Sequence, residues 1–222
     1  MDETKVKLCG QTRREDIAFS FASGADFCGV VIEVPSSPRS RTVEQAAELF
    51  AGNNERIFAL TADAPMALYA AIAKTLKPGY FQLTANEPPE DVKKIRAAFG
   101  IPVFKSLHLP REGIAGETAE TFVETMLAYL SAGCEGFVLD TLVPGMYGGS
   151  GKKSDWELAR KIVSAANAKT LLAGGISPEN AAQAAAVGAY GIDLASGVET
   201  APGVKSREKI AALFAALGRS TP

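Results

Sequence analysis

Short apolar runs return along the chain at roughly 20–30-residue intervals, separated by segments whose apolar positions repeat every three or four residues. The runs predict strands at Lys5–Cys9, Phe27–Ile32, Arg56–Leu60, Gly79–Leu83, Pro102–Ser106, Gly136–Leu139, Thr170–Ala173 and Tyr190–Leu194. The segments between and after them predict helices at Arg14–Ser23, Val43–Ala51, Pro65–Lys74, Pro88–Phe99, Glu117–Ala132, Asp155–Ala165, Pro178–Ala186 and Arg207–Leu217. Pro65, Pro88 and Pro178 fall near helix starts, where a missing N–H is tolerated. Gly24, Gly100, Gly133 and Gly188 follow helices, as left-handed caps do. No Pro/Ser/Gly tract or low-complexity stretch divides the sequence, so residues 1–222 are expected to form one domain. A doubly wound open sheet shares this rhythm. Eight strand-helix units favour the closed alternative, an α/β single-domain (β/α)8 TIM barrel, although 222 residues fall short of the typical barrel's roughly 250.

The last two units carry the strongest local signal. TLLAGGISPENAAQAAAVGAYGIDLASGVETAPGVK, from Thr170 to Lys205, reads as strand, Gly-Gly turn, helix, strand, Ser-Gly turn and short helix. Each turn would present free backbone N–H groups at a helix start, where the helix dipole also favours negative charge. Gly174, Gly175, Ala195, Ser196 and Gly197 are therefore candidate phosphate-binding residues. A barrel builds its phosphate site at this place, from the loops after strands seven and eight, which also argues for closure.

Composition narrows the partners. The net charge of −2, from 23 basic and 25 acidic residues of mixed distribution, gives no reason to expect nucleic acid or an anionic membrane, so an anionic ligand must be met locally. No apolar run approaches the ~18 residues of a membrane span, and MDETKVKLCG lacks the apolar centre of a signal peptide. A cytoplasmic protein, monomer or homodimer, is expected. Cys9, Cys28 and Cys134 are far apart, without a C-x-x-C pair or His ligand spacing, which argues against a disulfide framework and against a metal site.

Barrel chemistry sits at the C-terminal strand ends. That rule shortlists Cys9, Arg39 and Arg41 in SSPRSR, Asp63, Thr84, Asn86, Lys105, His108, Asp140 and Asp193. Each has a plainer reading. A strand-end cysteine is more often a small apolar filler, turn arginines are usually solvated, and an aspartate before a loop usually caps a turn. His108, the only histidine, stands among prolines and charges and is expected to be exposed. Asp193 faces either the barrel or the helices, with a structural hydrogen-bonding role as the alternative to a catalytic one.

Four blocks in order carry a resemblance: VKLCGQTRREDI from Val6 to Ile17, SPRS from Ser37 to Ser40, LDT with GGSGKKSDW between Leu139 and Trp156, and AGGISPEN with DLASGVETAPGVKS. Together they resemble the phosphoribosylanthranilate isomerase family and span nearly the whole chain. The resemblance implies a cofactor-free Amadori rearrangement in tryptophan biosynthesis, from N-(5-phosphoribosyl)anthranilate to 1-(2-carboxyphenylamino)-1-deoxyribulose 5-phosphate. It implies Asp140 as the general acid on the furanose ring oxygen, its pKa raised by burial, and Cys9 as the base, its pKa lowered by backbone dipoles or a cation. Arg39 would meet the anthranilate carboxylate, with Arg41 solvated. Gly148, Gly149 and Gly151 would form a substrate-binding lid whose unrestrained backbone closes over the site, an ordinary surface loop being the alternative.

The chain departs from the family at the rim. Gln82-Leu83 run into Thr84-Ala85 where the family reads QLHG, and Ala59-Leu60-Thr61 replace a phenylalanine-valine-asparagine run. Glu33, in Ile32-Glu33-Val34-Pro35, either competes for Arg39 or faces outward. These changes leave open a paralogous enzyme acting on another phosphorylated sugar, and a phosphate-ligand binding protein without catalysis. The dual-substrate barrel isomerases of histidine synthesis carry an aspartate where this chain has Cys9.

Overall fold

The computed structural model describes residues 3–110, 118–141 and 155–219. Each apolar run becomes a parallel strand: β1 (Lys5–Leu8), β2 (Phe27–Ile32), β3 (Ile57–Thr61), β4 (Tyr80–Leu83), β5 (Val103–Leu109), β6 (Gly136–Thr141), β7 (Thr170–Leu172) and β8 (Gly191–Leu194). β1 pairs with β2 on one side and with β8 on the other, so the sheet closes on itself. That pairing excludes the open doubly wound sheet and gives the (β/α)8 barrel. The helices are α1 (Arg14–Ala22), α2 (Val43–Phe50), α3 (Met66–Thr75), α4 (Pro89–Phe99), α5 (Ala119–Ser131), α6 (Trp156–Ala166), α7 (Ala181–Ala185) and α8 (Arg207–Ala216). No helix among the described residues is long and apolar enough to cross a membrane.

Side chains alternate along each strand, so each run feeds two cores. On β2, Cys28, Val30 and Ile32 pack outward beneath the helices with residues such as Ile17, Leu49 and Phe50. The inward set is smaller and layered. Phe27, Phe58, Tyr80 and Phe104 fill the floor, Phe58 stacking on Tyr80 at 4.3 Å and meeting Phe104 edge-on at 5.1 Å. Above them lies a buried ion pair, Lys7 Nζ to Asp193 Oδ2 at 2.8 Å, with the ammonium 5.2 Å from the centre of the Phe58 ring. The barrel opens above this pair.

Boundary differences have local causes. β5 and β6 run past the expected ends at Ser106 and Leu139 because His108 pairs in register with Asp140 and Leu109 with Thr141. Arg56 stands in a 3-10 turn, Asn54–Arg56, before β3 rather than inside the strand. The helix expected from Pro178 begins only at Ala181, since Asn180 accepts the Ser177 N–H at 2.8 Å and donates to the Gly175 carbonyl at 3.0 Å. Asn180 thus spends its side chain bracing the Gly-Gly turn. Gly24, Gly100, Gly133 and Gly188 all adopt positive φ at helix ends. Two features add to the barrel: Ser40–Arg41 pairs beside β2, and Glu199–Ala201 forms a hairpin with Val204–Lys205 after β8.

Candidate active site

The inward layer above Lys7–Asp193 lines a cavity at the C-terminal strand ends, enclosing about 710 Å³ including its open mouth. That is ample for a small-molecule ligand. Cys9 follows β1, Asp140 stands near the end of β6, and the turns Ala173 to Ile176 and Leu194 to Ser196 follow β7 and β8 between them. Around the barrel the order is β6, β7, β8, β1, so the two phosphate-type turns are flanked by Asp140 on one side and Cys9 on the other. Gly174 and Gly175 both take positive φ, 87° and 66°. Gly197 lies within the one-turn 3-10 helix Ser196–Val198 rather than on the cavity wall. A Cβ there would stand 2.0 Å from the Ile176 carbonyl oxygen, so glycine at 197 lets the two turns approach.

Lys7 and Cys9 share the inward face of their strand. Glycine at 29 makes room for both, since a Cβ there would meet Cys9 Sγ at 2.9 Å and Lys7 Nζ at 3.2 Å. The low thiol pKa expected from the sequence is not what this environment produces. Burial pushes the Cys9 thiol up, Asp193 adds to that, and the cations Lys7 and Lys205 pull it only part of the way back. Burial also opposes the charge of Lys7, but Asp193 and Cys9 outweigh it and keep the ammonium above its ordinary value. Asp140 goes the way an acid requires. Burial raises its carboxyl to about 6, against a hydrogen bond from the Thr141 N–H at 2.7 Å and with help from Asp193.

Arg39 is buried and held along one edge of its guanidinium by Glu199, Nε to Oε1 at 3.0 Å and Nη2 to Oε2 at 2.6 Å. Lys205 Nζ completes the cluster at 2.9 Å from Glu199 Oε1, and also donates to the carbonyls of Cys9 and Ala195. Two cations and one carboxylate leave this corner with one net positive charge. Gly10, at φ 73°, lets Arg39 lie close, for a Cβ there would be 2.4 Å from its Cδ. Glu33 does not compete for Arg39. It is exposed and accepts the Val43 N–H at the start of α2, at 3.2 Å. Arg41 is half-buried and donates to the Ser40 carbonyl at 2.7 Å, so it is not simply solvated.

The other shortlisted residues divide. His108 is half-buried on the cavity wall, with Nε2 3.1 Å from the Thr84 carbonyl oxygen, and not exposed as its flanking residues suggested. Asp193 faces inward, and among the described residues its Oδ1 is buried without a partner, as is Oε1 of the cavity-lining Gln82. Asp63, Asn86 and Lys105 turn away from the cavity. They close the β3–β4 rim around Glu87, which accepts from the Asp63 and Ala85 N–H groups and pairs with Lys105 at 3.2 Å. The altered rim residues have visible work: Thr84 Oγ1 donates to the Thr61 carbonyl at 2.7 Å, and Leu60 with Val31 gives the cavity an apolar side. Gly148, Gly149 and Gly151 lie outside the described residues. Among the described residues, no group of three His, Cys, Asp or Glu side chains is placed to hold a metal ion.

Lys7, Glu199 and Lys205 are the site residues that the sequence reading missed. Lys7 carried a signal, since alternation through Val6, Lys7, Leu8 and Cys9 puts Lys7 on whichever face Cys9 takes.

Comparison with known proteins bears on the family and the fold. The family model of N-(5'-phosphoribosyl)anthranilate (PRA) isomerase matches residues 6–216. A protein of Rhodopseudomonas palustris (strain BisB5) named N-(5'-phosphoribosyl)anthranilate isomerase is 37% identical over 211 residues, covering 92% of this chain and 91% of its own. The crystal structure of phosphoribosyl anthranilate isomerase from Thermus thermophilus superposes with a TM-score of 0.79 at 33% identity, covering 97% of this chain and 98% of that one. A further isomerase structure, in complex with reduced 1-(o-carboxyphenylamino)-1-deoxyribulose 5-phosphate, gives a TM-score of 0.73 at 25% identity over 97% of this chain and 98% of that one. Shared fold, motif order and sequence identity along nearly the whole length place the chain in the phosphoribosylanthranilate isomerase family.

Proposed function

We propose that this cavity converts N-(5'-phosphoribosyl)anthranilate to 1-(2-carboxyphenylamino)-1-deoxyribulose 5-phosphate by an Amadori rearrangement. One observation carries the reading: a half-buried acid and a buried thiol flank the same pair of turns on neighbouring strands of one barrel mouth. Backbone N–H groups of Gly174, Gly175, Ala195 and Ser196 hold the phosphate, and Gly197 keeps their two turns together. The ribose then lies between Asp140 and Cys9, with Gln82 Oε1 and Asp193 Oδ1 as acceptors for its hydroxyls. Val31 and Leu60 cover one side of the aromatic ring, and the net positive corner around Arg39 receives the carboxylate.

Asp140 gives its proton to the furanose ring oxygen. The ring C–O bond breaks and the glycosidic nitrogen becomes a protonated imine. The Cys9 thiolate then takes the proton from the adjacent sugar carbon, which neutralises the nitrogen and leaves an enolamine that tautomerises to the ketone. Lys7 and Lys205 are the cations beside the thiolate when it forms.

The test follows the fluorescence of phosphoribosylanthranilate during incubation with the purified protein, with the product identified by its ketone carbon in an NMR spectrum. Steady loss of fluorescence with appearance of the aminoketose is expected. A folded protein that leaves the substrate unconsumed overturns the reading.

A further inference from the structure

We propose that His108 is a substrate-binding residue: its ring Nδ1 accepts a hydrogen bond from the anilino N–H and stabilises that nitrogen as it becomes cationic on ring opening. The inference rests on the isomerase reading above.

His108 stands near the end of β5 and pairs in register with Asp140 on β6. Neighbouring strands lie about 4.8 Å apart, and both residues line the cavity, so their side chains work on adjacent ligand atoms. The imidazole is oriented by the Thr84 carbonyl, 3.1 Å from Nε2. A carbonyl only accepts, so Nε2 carries the proton. Burial pushes the imidazole below its ordinary pKa and Lys105 adds to that, so the ring holds this one proton and Nδ1 keeps its lone pair. Among the described residues Nδ1 has no hydrogen-bond partner.

The order of strands says what Nδ1 meets. The phosphate lies at β7 and β8, and the ring oxygen lies at Asp140 on β6. The glycosidic carbon bears both the ring oxygen and the anilino nitrogen, which places the nitrogen two bonds beyond Asp140 on the side away from the phosphate. The next strand in that direction is β5. A neutral acceptor suits that place. The N–H becomes a stronger donor as the imine is protonated, so the hydrogen bond strengthens in the transition state more than in the ground state. A cationic side chain there would oppose the same step.

Two amide substitutions separate this role from a structural one through Thr84. In His108→Asn the side-chain oxygen replaces Nδ1, whereas in His108→Gln the amide replaces Nε2 and the acceptor is lost. Turnover of phosphoribosylanthranilate is measured for wild type, both amides and His108→Ala, with melting curves to show that each is folded. His108→Gln is expected to lose about 10- to 100-fold in kcat with KM changed less than about 3-fold, while His108→Asn stays within about 5-fold of wild type. If His108→Gln is unfolded, the comparison of Asn with Ala replaces it, the same loss being expected for Ala. Activity of His108→Gln equal to or above that of His108→Asn overturns the inference, as does a fully active His108→Ala or an Asn variant as slow as Ala. A wild-type protein without turnover defeats the isomerase reading instead, and this inference with it.

Discussion

Asp140→Asn should yield a protein that is slower and more stable. The rate loss follows from removing the only proton donor assigned to the ring oxygen, and general-acid catalysis of this kind is worth roughly 10²–10⁴-fold. The gain in stability follows from linkage. Burial raises the Asp140 carboxyl from 3.8 to about 6, so between those values the folded protein holds a proton that the unfolded chain has released. Native stability therefore falls as pH rises through this window and stays lowered above it. A displacement of about two units corresponds to roughly 3 kcal/mol. Asparagine carries no charge, and its side-chain oxygen can still accept the Thr141 N–H. Urea unfolding at pH 8 should show the variant more stable by about 1–3 kcal/mol, with the difference shrinking toward zero at pH 4. Equal stability at pH 8 would mean that the carboxylate is not under strain in the folded protein.

Lys7→Met should have the opposite effect on stability. Lys7 is fully buried and Asp193 nearly so, and removing one partner leaves a carboxylate uncompensated above an aromatic floor. Breaking a buried pair in this way costs about 3–5 kcal/mol. Adding Asp193→Asn removes the orphan charge and should restore much of the loss, visible as a recovered urea midpoint. Activity should not return with it. Cys9 would still lack its nearest cation, so its thiolate would be rarer at every working pH. Recovery of both stability and turnover in the double variant would show that Lys7 serves the fold alone.

The sequence made the barrel legible because its signals are local. Alternation and helical spacing placed all eight strands, and the glycines after helices marked their ends. Closure was only favoured by the count of units, since the β1–β8 pairing joins Lys5 to Gly191 across nearly the whole chain. The site was legible where residues lie at strand ends, as with Cys9, Asp140 and the two turns. It was not legible where the chain folds back. Glu199 reaches Arg39 across 160 residues because the hairpin after β8 folds back against the segment after β1, where Thr12 donates to the Gly203 carbonyl and Asp16 accepts the Lys205 N–H. His108 was misread because its prolines and charges look like loop chemistry, while pairing with β6 carries β5 three residues past its expected end. Asn180 shows the reverse case, a side chain used to brace a turn where composition predicted helix.

The central claim is that Asp140 and Cys9 share one proton across the ribose. The reacting form, acid protonated and thiol ionised, contains as many protons as the commoner form with carboxylate and thiol. It therefore remains a constant small fraction between the two ionisations of the pair. The measurement is kcat/KM against pH for wild type and Asp140→Asn. In the wild type the account predicts a rise centred near pH 6 and a plateau that falls only above the ordinary thiol range. In the variant it predicts no break near pH 6, the residual rate climbing with the thiolate fraction straight through that pH. A wild-type profile that is flat through pH 6, or a break near pH 6 that persists in Asp140→Asn, would contradict it.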